Sequence, residues 1–242
     1  MKFLKLILLM TLAILIPNLG YSMHISEGIL SLNWALFWIA VSLPFLIWSI
    51  IVVISNLKSK KNYIAVISLI GAVVFLMSSL AIPSPVAGSV SHPAATGISS
   101  IIIGPIASIF VGFITLVIQA LFMAHGGITS LGANVFAMAI VGSFVGFGAY
   151  KLARLVGLPY FIAGFMAGFF ADILTYLTTA FQLALEFHGT EPITNVWLTL
   201  FGLFLPIQLP VSVVEGIIAG IVIKIFVDRA KDYIDPIVEP SK

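Results

Sequence analysis

Six long apolar runs constrain the fold of this chain more than any other feature. They lie at about 33–57, 62–81, 97–124, 131–150, 159–187 and 195–227. Each is near or above the roughly 20 residues that a helix needs to cross the apolar core of a bilayer. Only 8% of the 242 residues are charged, against roughly 25% in a typical soluble domain. The sequence therefore predicts an all-α, polytopic membrane helix bundle.

Composition and missing motifs limit the chemistry. The chain has no cysteine, which excludes disulfides, thiolate metal sites and cysteine nucleophiles. It contains no G-x4-G-K-[ST] phosphate loop, no H-E-x-x-H and no G-x-S-x-G motif, so it is not predicted to hydrolyse ATP or to be an enzyme. The net charge of +2 is small and dispersed, which gives no indication of nucleic-acid binding. Any metal site must use nitrogen and oxygen ligands.

The first 22 residues resemble a secretory leader. Lys2 and Lys5 precede a short apolar run at 6–16, and Gly20 and Ser22 form a small-x-small cleavage site. The sequence predicts a cleaved signal peptide at 1–22 and a single integral membrane domain at 23–242. The alternative is that the leader stays attached as a helix.

Charged loops indicate one more crossing than the apolar runs show. With the mature N-terminus outside the cell, the positive-inside rule places the basic segments in the cytoplasm: Lys58, Lys60 and Lys61; Lys151 and Arg154; Lys224, Arg229 and Lys231. This requires the run 97–124 to be split, and Gly104–Pro105 is the natural break because proline interrupts a helix. Seven crossings result, with a short helix before the break, a cytoplasmic C-terminus and all four histidines external. Six crossings remain the alternative, with Lys151 and Arg154 outside and His125 inside.

Cleavage after Ser22 would create an unusual metal chelator. The free amine of Met23, the backbone nitrogen of His24 and the His24 imidazole can bind one transition-metal ion in a plane. A second histidine, His92, lies in a loop rich in proline, glycine and serine and could supply a fourth nitrogen. Imidazole suits nickel, copper, zinc and cobalt. A planar site of four nitrogens favours Ni²⁺ and Cu²⁺ over Co²⁺.

Three motifs make the chain similar to a known family. They are MHISEG at 23–28, GSVSHP at 88–93 and AHGGITSLGAN at 124–134. Together with Asp172 and Glu215 they resemble the CbiM/NikM family, the substrate-capture (S) components of cobalt and nickel energy-coupling-factor transporters.

The resemblance implies a fold, a function and partners. The fold would be an S-component core with an extra N-terminal helix in the cell membrane. The metal ligands would be Met23, His24 and His92, and the transported substrate Co²⁺ or Ni²⁺, with cobalt favoured for cobalamin biosynthesis. The partners would be a transmembrane coupling subunit, two ATP-binding-cassette ATPases that hydrolyse ATP, and commonly a small accessory membrane protein.

Other polar residues have two interpretations each. His125 and Asn134 could support the metal ligands, as outer partners often orient ligand imidazoles, or could belong to an ordinary helix-end loop. Glu27 could orient His24 or cap the first helix, and Ser91 adjoins His92. His188 is typical of a solvated loop.

Two carboxylates in apolar runs define the competing function. Asp172 and Glu215 are expensive to place in a membrane and are expected to face the bundle interior. A structural role is preferred for both. The remote alternative is an intramembrane enzyme or assembly factor with these residues as its acid–base pair.

Overall fold

A computed structural model describes residues 21–22, 24–80, 82–83 and 89–229. Across those ranges the chain is a helical bundle, which confirms the all-α prediction. Its seven helices are α1 (Leu32–Ser59), α2 (Tyr63–Ser78), α3 (Thr96–Ile102), α4 (Pro105–Phe122), α5 (Leu131–Leu155), α6 (Tyr160–Phe187) and α7 (Ile193–Arg229). Helix α5 contains a π-helical segment at Val135–Val141.

Five of the described helices, α1 and α4 to α7, are long and apolar enough to cross a membrane. Helix α2 is also apolar but has only 16 residues. Many of the large side chains that face outward are apolar, such as Leu36, Leu69 and Leu121. An apolar exterior of this kind is stable in lipid, where helices satisfy their own backbone hydrogen bonds.

The predicted break in the run 97–124 is confirmed. Gly104 has a φ of 84° and Pro105 begins α4, the position at which proline costs no helical hydrogen bond. Helix α3 has seven residues, a length of about 10 Å, whereas the apolar core of a bilayer is about 30 Å thick. The described residues thus form seven helices, of which α3 is the short helix expected before the break, and the number of membrane crossings stays a prediction.

Helix α3 lies inside the protein, and all seven of its residues are buried. Its interrupted backbone is therefore shielded from lipid, the condition under which broken helices are tolerated at membrane depth. Hydroxyl groups connect its neighbours: Ser99 of α3 bonds Ser108 of α4, and Ser108 bonds Ser143 of α5 at 2.7 Å. These bonds hold α3 against the two helices that follow it.

The sequence contains two G-x3-G spacings, Gly142/Gly146 and Gly164/Gly168, and they lie where helices touch. A Cβ on Gly168 would stand 2.8 Å from the Cβ of Ala219, and one on Gly146 would stand 2.7 Å from the Cα of Gly97. Neither approach leaves room for a larger residue. The glycines thus let α6 pack on α7 and α5 pack on α3, as small residues do in membrane bundles.

A three-stranded sheet lies in the segments that precede α1 and α3 in the chain. Its first strand falls at the end of the predicted signal peptide, and the other two lie in and beside the predicted loop that carries His92. The sheet consists of β1 (Tyr21–Ser22), β2 (Ile82–Pro83) and β3 (Ser89–Ser91), in the order β1-β3-β2. The β1–β3 pair is parallel, with Tyr21 opposite Ser89 and Ser22 opposite Val90. Ser22 and Val90 each lie two residues before a histidine, His24 and His92 respectively. This register therefore brings the two histidines to the same level of the bundle.

One end of the bundle gathers several segments. The amide of Ser31, just before α1, donates to a carboxylate oxygen of Glu186 near the end of α6 at 2.9 Å. His188 follows α6 directly and so lies at this end. Helix α1 has 28 residues and spans about 42 Å. Lys60 and Lys61, which follow it, therefore lie at the opposite end of the bundle.

Candidate metal centre

Three histidines from distant parts of the sequence meet at this end of the bundle. The ring centroids of His24 and His92 lie 4.4 Å apart, and each lies 5.0 Å from that of His125. All three side chains are buried. One nitrogen from each ring can be chosen so that the three atoms lie within 4.8 Å of one another. His188, at the same end, is not part of this cluster.

The loop carbonyl after His92 fixes the orientation of its ring. Nδ1 of His92 donates to the carbonyl of Pro93 at 3.0 Å, which leaves the lone pair on Nε2. In the part of the chain that the structure describes, this buried Nε2 has no hydrogen-bond partner, and neither has the buried Nε2 of His125. Buried polar atoms are normally satisfied, so two such nitrogens in one cluster point to a ligand.

Gln119, on α4, fixes the ring of His24. Its Oε1 accepts from Nε2 of His24 at 3.2 Å, while its Nε2 donates to the hydroxyls of Ser78 at 2.9 Å and Ser79 at 3.3 Å. An amide oxygen only accepts, so His24 carries its proton on Nε2 and its lone pair on Nδ1. Gln119 was not among the residues predicted from the sequence. The available signal was a single amide side chain in the predominantly apolar run 97–124.

Asn134 holds the residue that follows His24. Its Oδ1 accepts from the amide of Ile25 at 2.9 Å, and its Nδ2 donates to the carbonyl of Ile25 at 3.1 Å. The hydroxyl of Ser130 also donates to that carbonyl. Asn134 thus acts on the backbone beside His24 rather than on an imidazole.

Glu27 ties the segment after His24 to the 126–130 loop. Its carboxylate accepts from the amide of Thr129 at 3.2 Å, and these bonds lower its pKa. Gly127 packs so closely that an added Cβ would lie 2.5 Å from the Cα of Glu27. The structure therefore gives Glu27 a different role from the two expected: it joins two loops.

Helices α6 and α7 hold the His92 loop by its backbone. The hydroxyl of Tyr176 donates to the carbonyl of His92 at 2.9 Å. Glu215 accepts from the amides of Ala94 at 2.7 Å and Ala95 at 2.8 Å, and Asp172 accepts from Ala94 at 3.2 Å. The carboxylates satisfy amides at the start of α3 that its own helix cannot bond.

Two further side chains complete this support. Gln208 and Ser212 of α7 both donate to Oδ2 of Asp172. Gln208 also accepts from the hydroxyl of Ser91, which is fully buried. Ser91 therefore anchors the strand before His92 to α7. The preferred structural role for Asp172 and Glu215 agrees with these contacts.

The environment keeps the imidazoles neutral. Burial, and then mutual repulsion with His92 and His125, hold the pKa of His24 well below its usual value. Burial and the proximity of His125 lower the pKa of His92 to about 3. Burial also lowers the pKa of His125. Neutral imidazole is the form that binds metal, and it suits cobalt, nickel, zinc and copper.

The remaining expected ligand, Met23, lies outside the described residues. It stands between Ser22 of β1 and His24, and β1 itself precedes the expected cleavage point. Cleavage after Ser22 would remove β1 from the edge of β3 and leave Met23 as the first residue.

Comparison with known proteins gives the family. The family model described as "Cobalt uptake substrate-specific transmembrane region", CbiM, matches residues 24–233. The "Cobalt transport protein CbiM" of Sorangium cellulosum is 39% identical over 213 residues, which are 88% of this chain and 95% of that protein. The protein of the same name from Geobacter sulfurreducens is 43% identical over 203 residues, 84% of this chain but only 59% of its own length.

Solved structures agree with this match. A crystal structure described as a transition metal transporter has a TM-score of 0.72 and 26% identity, and the match covers 89% of this chain and 96% of that one. A truncated transition metal transporter has a TM-score of 0.73 and 28% identity, covering 85% and 98% of the two chains. The chain belongs to the CbiM family of membrane proteins.

Proposed function

We propose that this chain is the substrate-binding membrane subunit of a cobalt importer and that His24 and His92 bind the ion. The observation that carries this proposal is the buried cluster of neutral imidazoles. A site for Mg²⁺ or Ca²⁺, which are hard cations, would have oxygen ligands such as carboxylates at its centre, whereas Asp172 and Glu215 face the backbone of the His92 loop.

Met23 completes the proposed site. His24 presents Nδ1 as its acceptor atom, because Nε2 is engaged by Gln119. Nδ1 is the ring nitrogen nearer to the backbone, so it can close a chelate ring with the His24 backbone nitrogen. A free amine on Met23 would close a second ring on the same ion. Signal peptide cleavage after Ser22 is thus part of the proposed mechanism, because an uncleaved chain has no amine there.

Cobalt is preferred to nickel because both CbiM relatives described above carry cobalt in their names. Nickel remains the second candidate, since four nitrogens in a plane suit Ni²⁺. Affinity alone follows the Irving–Williams order and favours nickel. A preference for cobalt would therefore have to come from a ligand in addition to these four nitrogens.

This chain carries no phosphate loop, so the ATP hydrolysis that the family resemblance implies would have to come from partner subunits. We propose a transmembrane coupling subunit, two ATP-binding-cassette ATPases and a small accessory membrane subunit. The proposed location is the cell membrane, with the mature N-terminus and the metal site outside and the C-terminus in the cytoplasm. The chain itself is proposed to bind and carry the ion without catalysis.

The test moves the amine without disturbing the imidazoles. Two glutamines inserted between Ser22 and Met23 leave Gly20 and Ser22 as the small-x-small site, create no second such site before Met23, and separate the terminal amine from His24. We expect the purified variant to lose most of the cobalt bound per chain after dialysis, measured by mass spectrometry of the metal. Cells that carry the full transporter should lose uptake of labelled cobalt.

The matched control inserts two glutamines after Glu191, in the exposed loop between α6 and α7. This variant should bind and import cobalt normally. Full cobalt binding by the chain extended before Met23 would contradict the role of the amine. A wild-type chain that bound neither cobalt nor nickel would contradict the proposed function.

A further inference from the structure

The third histidine has no assigned task in a site of four nitrogens. Met23, His24 and His92 together supply four nitrogens, counting the backbone nitrogen of His24. The ring centroid of His125 nevertheless lies 5.0 Å from the centroid of each of the other two rings. Its Nε2 is buried and lacks a partner among the described residues. Burying a polar atom without a hydrogen-bond partner is unfavourable, so its presence here needs an explanation.

The backbone around His125 is held in an unusual conformation. Ala124 has a φ of 49° and Gly126 a φ of 84°, so both neighbours of His125 are left-handed. This conformation is unfavourable for a residue other than glycine, such as Ala124. The amide of His125 donates back to the carbonyl of Gln119 at 3.2 Å, which fixes the turn. Strain of this kind persists when the surrounding structure requires it, and it is common at ligand sites.

Gly126, which follows His125, is tightly packed against neighbouring segments. An added Cβ on Gly126 would lie 3.2 Å from the Cβ of His24 and 3.2 Å from Nδ2 of Asn134. The His125 turn is thus packed directly on the His24 segment. The ring of His125 is tilted by 61° to that of His24 and by 69° to that of His92. His24 and His92 are themselves tilted by 54° to each other, so the three rings have three different orientations. Because the four proposed nitrogens already take the four positions of a planar site, a nitrogen from His125 would have to bind from outside that plane.

The distances allow one ion to contact all three rings. Imidazole nitrogens bind divalent first-row metals at about 2.0–2.1 Å, so two nitrogens on one ion stand at most about 4.2 Å apart. The present nitrogens lie within 4.8 Å of one another. Small rotations of the side chains would complete the contact.

On the basis of the proposed function, we infer that His125 is an additional metal ligand that approaches from outside the plane and selects Co²⁺ over Ni²⁺. Square-planar geometry is typical of Ni²⁺ with nitrogen ligands. A fifth nitrogen outside the plane adds little to a planar Ni²⁺ ion, whereas Co²⁺ accepts five ligands. His125 thereby offsets the advantage that the Irving–Williams order gives to nickel.

X-ray absorption spectroscopy on the mature full chain tests this inference without a substitution. Imidazole rings give a multiple-scattering signal from which the number of bound histidines is counted. With cobalt chloride as the probe we expect three imidazoles and five nitrogens. With nickel chloride we expect two imidazoles and four nitrogens. Two imidazoles on cobalt in the wild-type chain would overturn the inference.

The variant His125→Ala gives the second measurement. Its cobalt affinity should fall at least about tenfold, as for the loss of supporting groups in other metal sites, while its nickel affinity changes less than threefold. Its bound cobalt should show two imidazoles. Equal losses for both metals would overturn the inference, and the melting temperature of the variant would show whether it is folded.

His188→Ala is the matched control, because it removes a histidine from the same end of the bundle but outside the cluster. It should leave both affinities unchanged. The two proposals fail in different ways. Cobalt binding that depends on His24 but involves two imidazoles contradicts only the role of His125, whereas the absence of metal binding contradicts the proposed function.

Discussion

Gln119 contacts His24 across 95 residues of sequence, with 3.2 Å between Oε1 of the glutamine and Nε2 of the histidine. This single bond decides which nitrogen of His24 faces the candidate metal centre. The same glutamine also bonds Ser78 and Ser79, so the position of the ring depends on where α2 ends. Metal binding and the packing of α2 on α4 are therefore physically connected.

The first prediction concerns this bond. Gln119→Ala removes the acceptor for His24 and lets its ring turn. Loss of such an outer partner typically weakens metal binding by about 10–100-fold, and we expect a decrease in that range when cobalt is titrated into the purified chain. Thr178→Ala is the control, because the Thr178 hydroxyl bonds only the local carbonyl of Leu174. Wild-type affinity in Gln119→Ala would show that the bond does not position His24.

The second prediction concerns the carboxylate beneath the His92 loop. Glu215→Gln replaces one acceptor oxygen with an NH₂ group that faces the amide of Ala94 or Ala95. Two donors then face each other in a buried site, and a lost bond of this kind costs about 1–3 kcal/mol. We expect a lower melting temperature even without metal, together with weaker cobalt binding. An unchanged melting temperature would contradict the role given to Glu215.

The third prediction concerns pH. All three cluster histidines have pKa values below the usual 6.5, so the unfolded chain takes up protons before the folded chain does as the pH falls. Stability from these groups is complete above about pH 6.5 and is lost progressively toward the folded-state pKa, which is about 3 for His92. The melting temperature of the metal-free protein should therefore drop between pH 7 and pH 5.

Substitution identifies the groups responsible for that drop. His92→Asn should flatten the dependence of melting temperature on pH, since it removes one buried neutral imidazole. His188→Asn should leave the dependence as in the wild type, because His188 lies outside the cluster. The same slope in His92→Asn and the wild type would assign the effect to other groups.

The fourth prediction concerns the close contact between the two loops. An added Cβ on Gly127 would collide with the backbone of Glu27 at 2.5 Å, so Gly127→Ala should displace the segment that carries His24. We expect at least a tenfold loss of cobalt affinity, comparable to the loss of an outer partner. Gly148→Ala is the control, because nothing lies within 4 Å of its added Cβ. Normal cobalt binding in Gly127→Ala would show that the two loops can move apart without displacing His24.

Local signals in the sequence predicted the parts of this fold that depend on neighbouring residues. Apolar run lengths gave the long helices, and Gly104–Pro105 gave the break before α4 because proline has a fixed φ and no amide proton. His24 and His92 stood out through the leader and a proline-rich loop. The contact of Gln119 with His24 and the pairing of β1 with β3 could not be predicted, since both join segments far apart in sequence.

The same contrast applies to the carboxylates. The cost of burying a charge predicted that Asp172 and Glu215 face the bundle interior. Sequence alone could not identify their partners, because the amides of Ala94 and Ala95 belong to a loop with no distinguishing side chain. Their function became clear only when α6, α7 and the start of α3 were seen together.

The fifth prediction concerns orientation, on which the capture of an external ion depends. Thr129 follows the His125 loop, and Thr190 follows α6, at the end that holds the histidines; both are exposed. Lys61 and Val156 are exposed beyond the far ends of α1 and α5. Helix α5 has 25 residues, a length of about 38 Å, so Thr129 and Val156 lie at opposite ends. Ser91 is unsuitable as a probe because it is fully buried.

Single cysteines at these four positions would report the orientation without background, because the chain has no native cysteine. A membrane-impermeant thiol reagent applied to intact cells should label Thr129→Cys and Thr190→Cys and spare Lys61→Cys and Val156→Cys. Permeabilised cells, in which all four should react, are the control for accessibility. This pattern follows from the positive-inside rule, since Lys58, Lys60 and Lys61 then face the cytoplasm. The reverse pattern would place the histidine cluster on the cytoplasmic side, where it could not take up an ion from outside the cell.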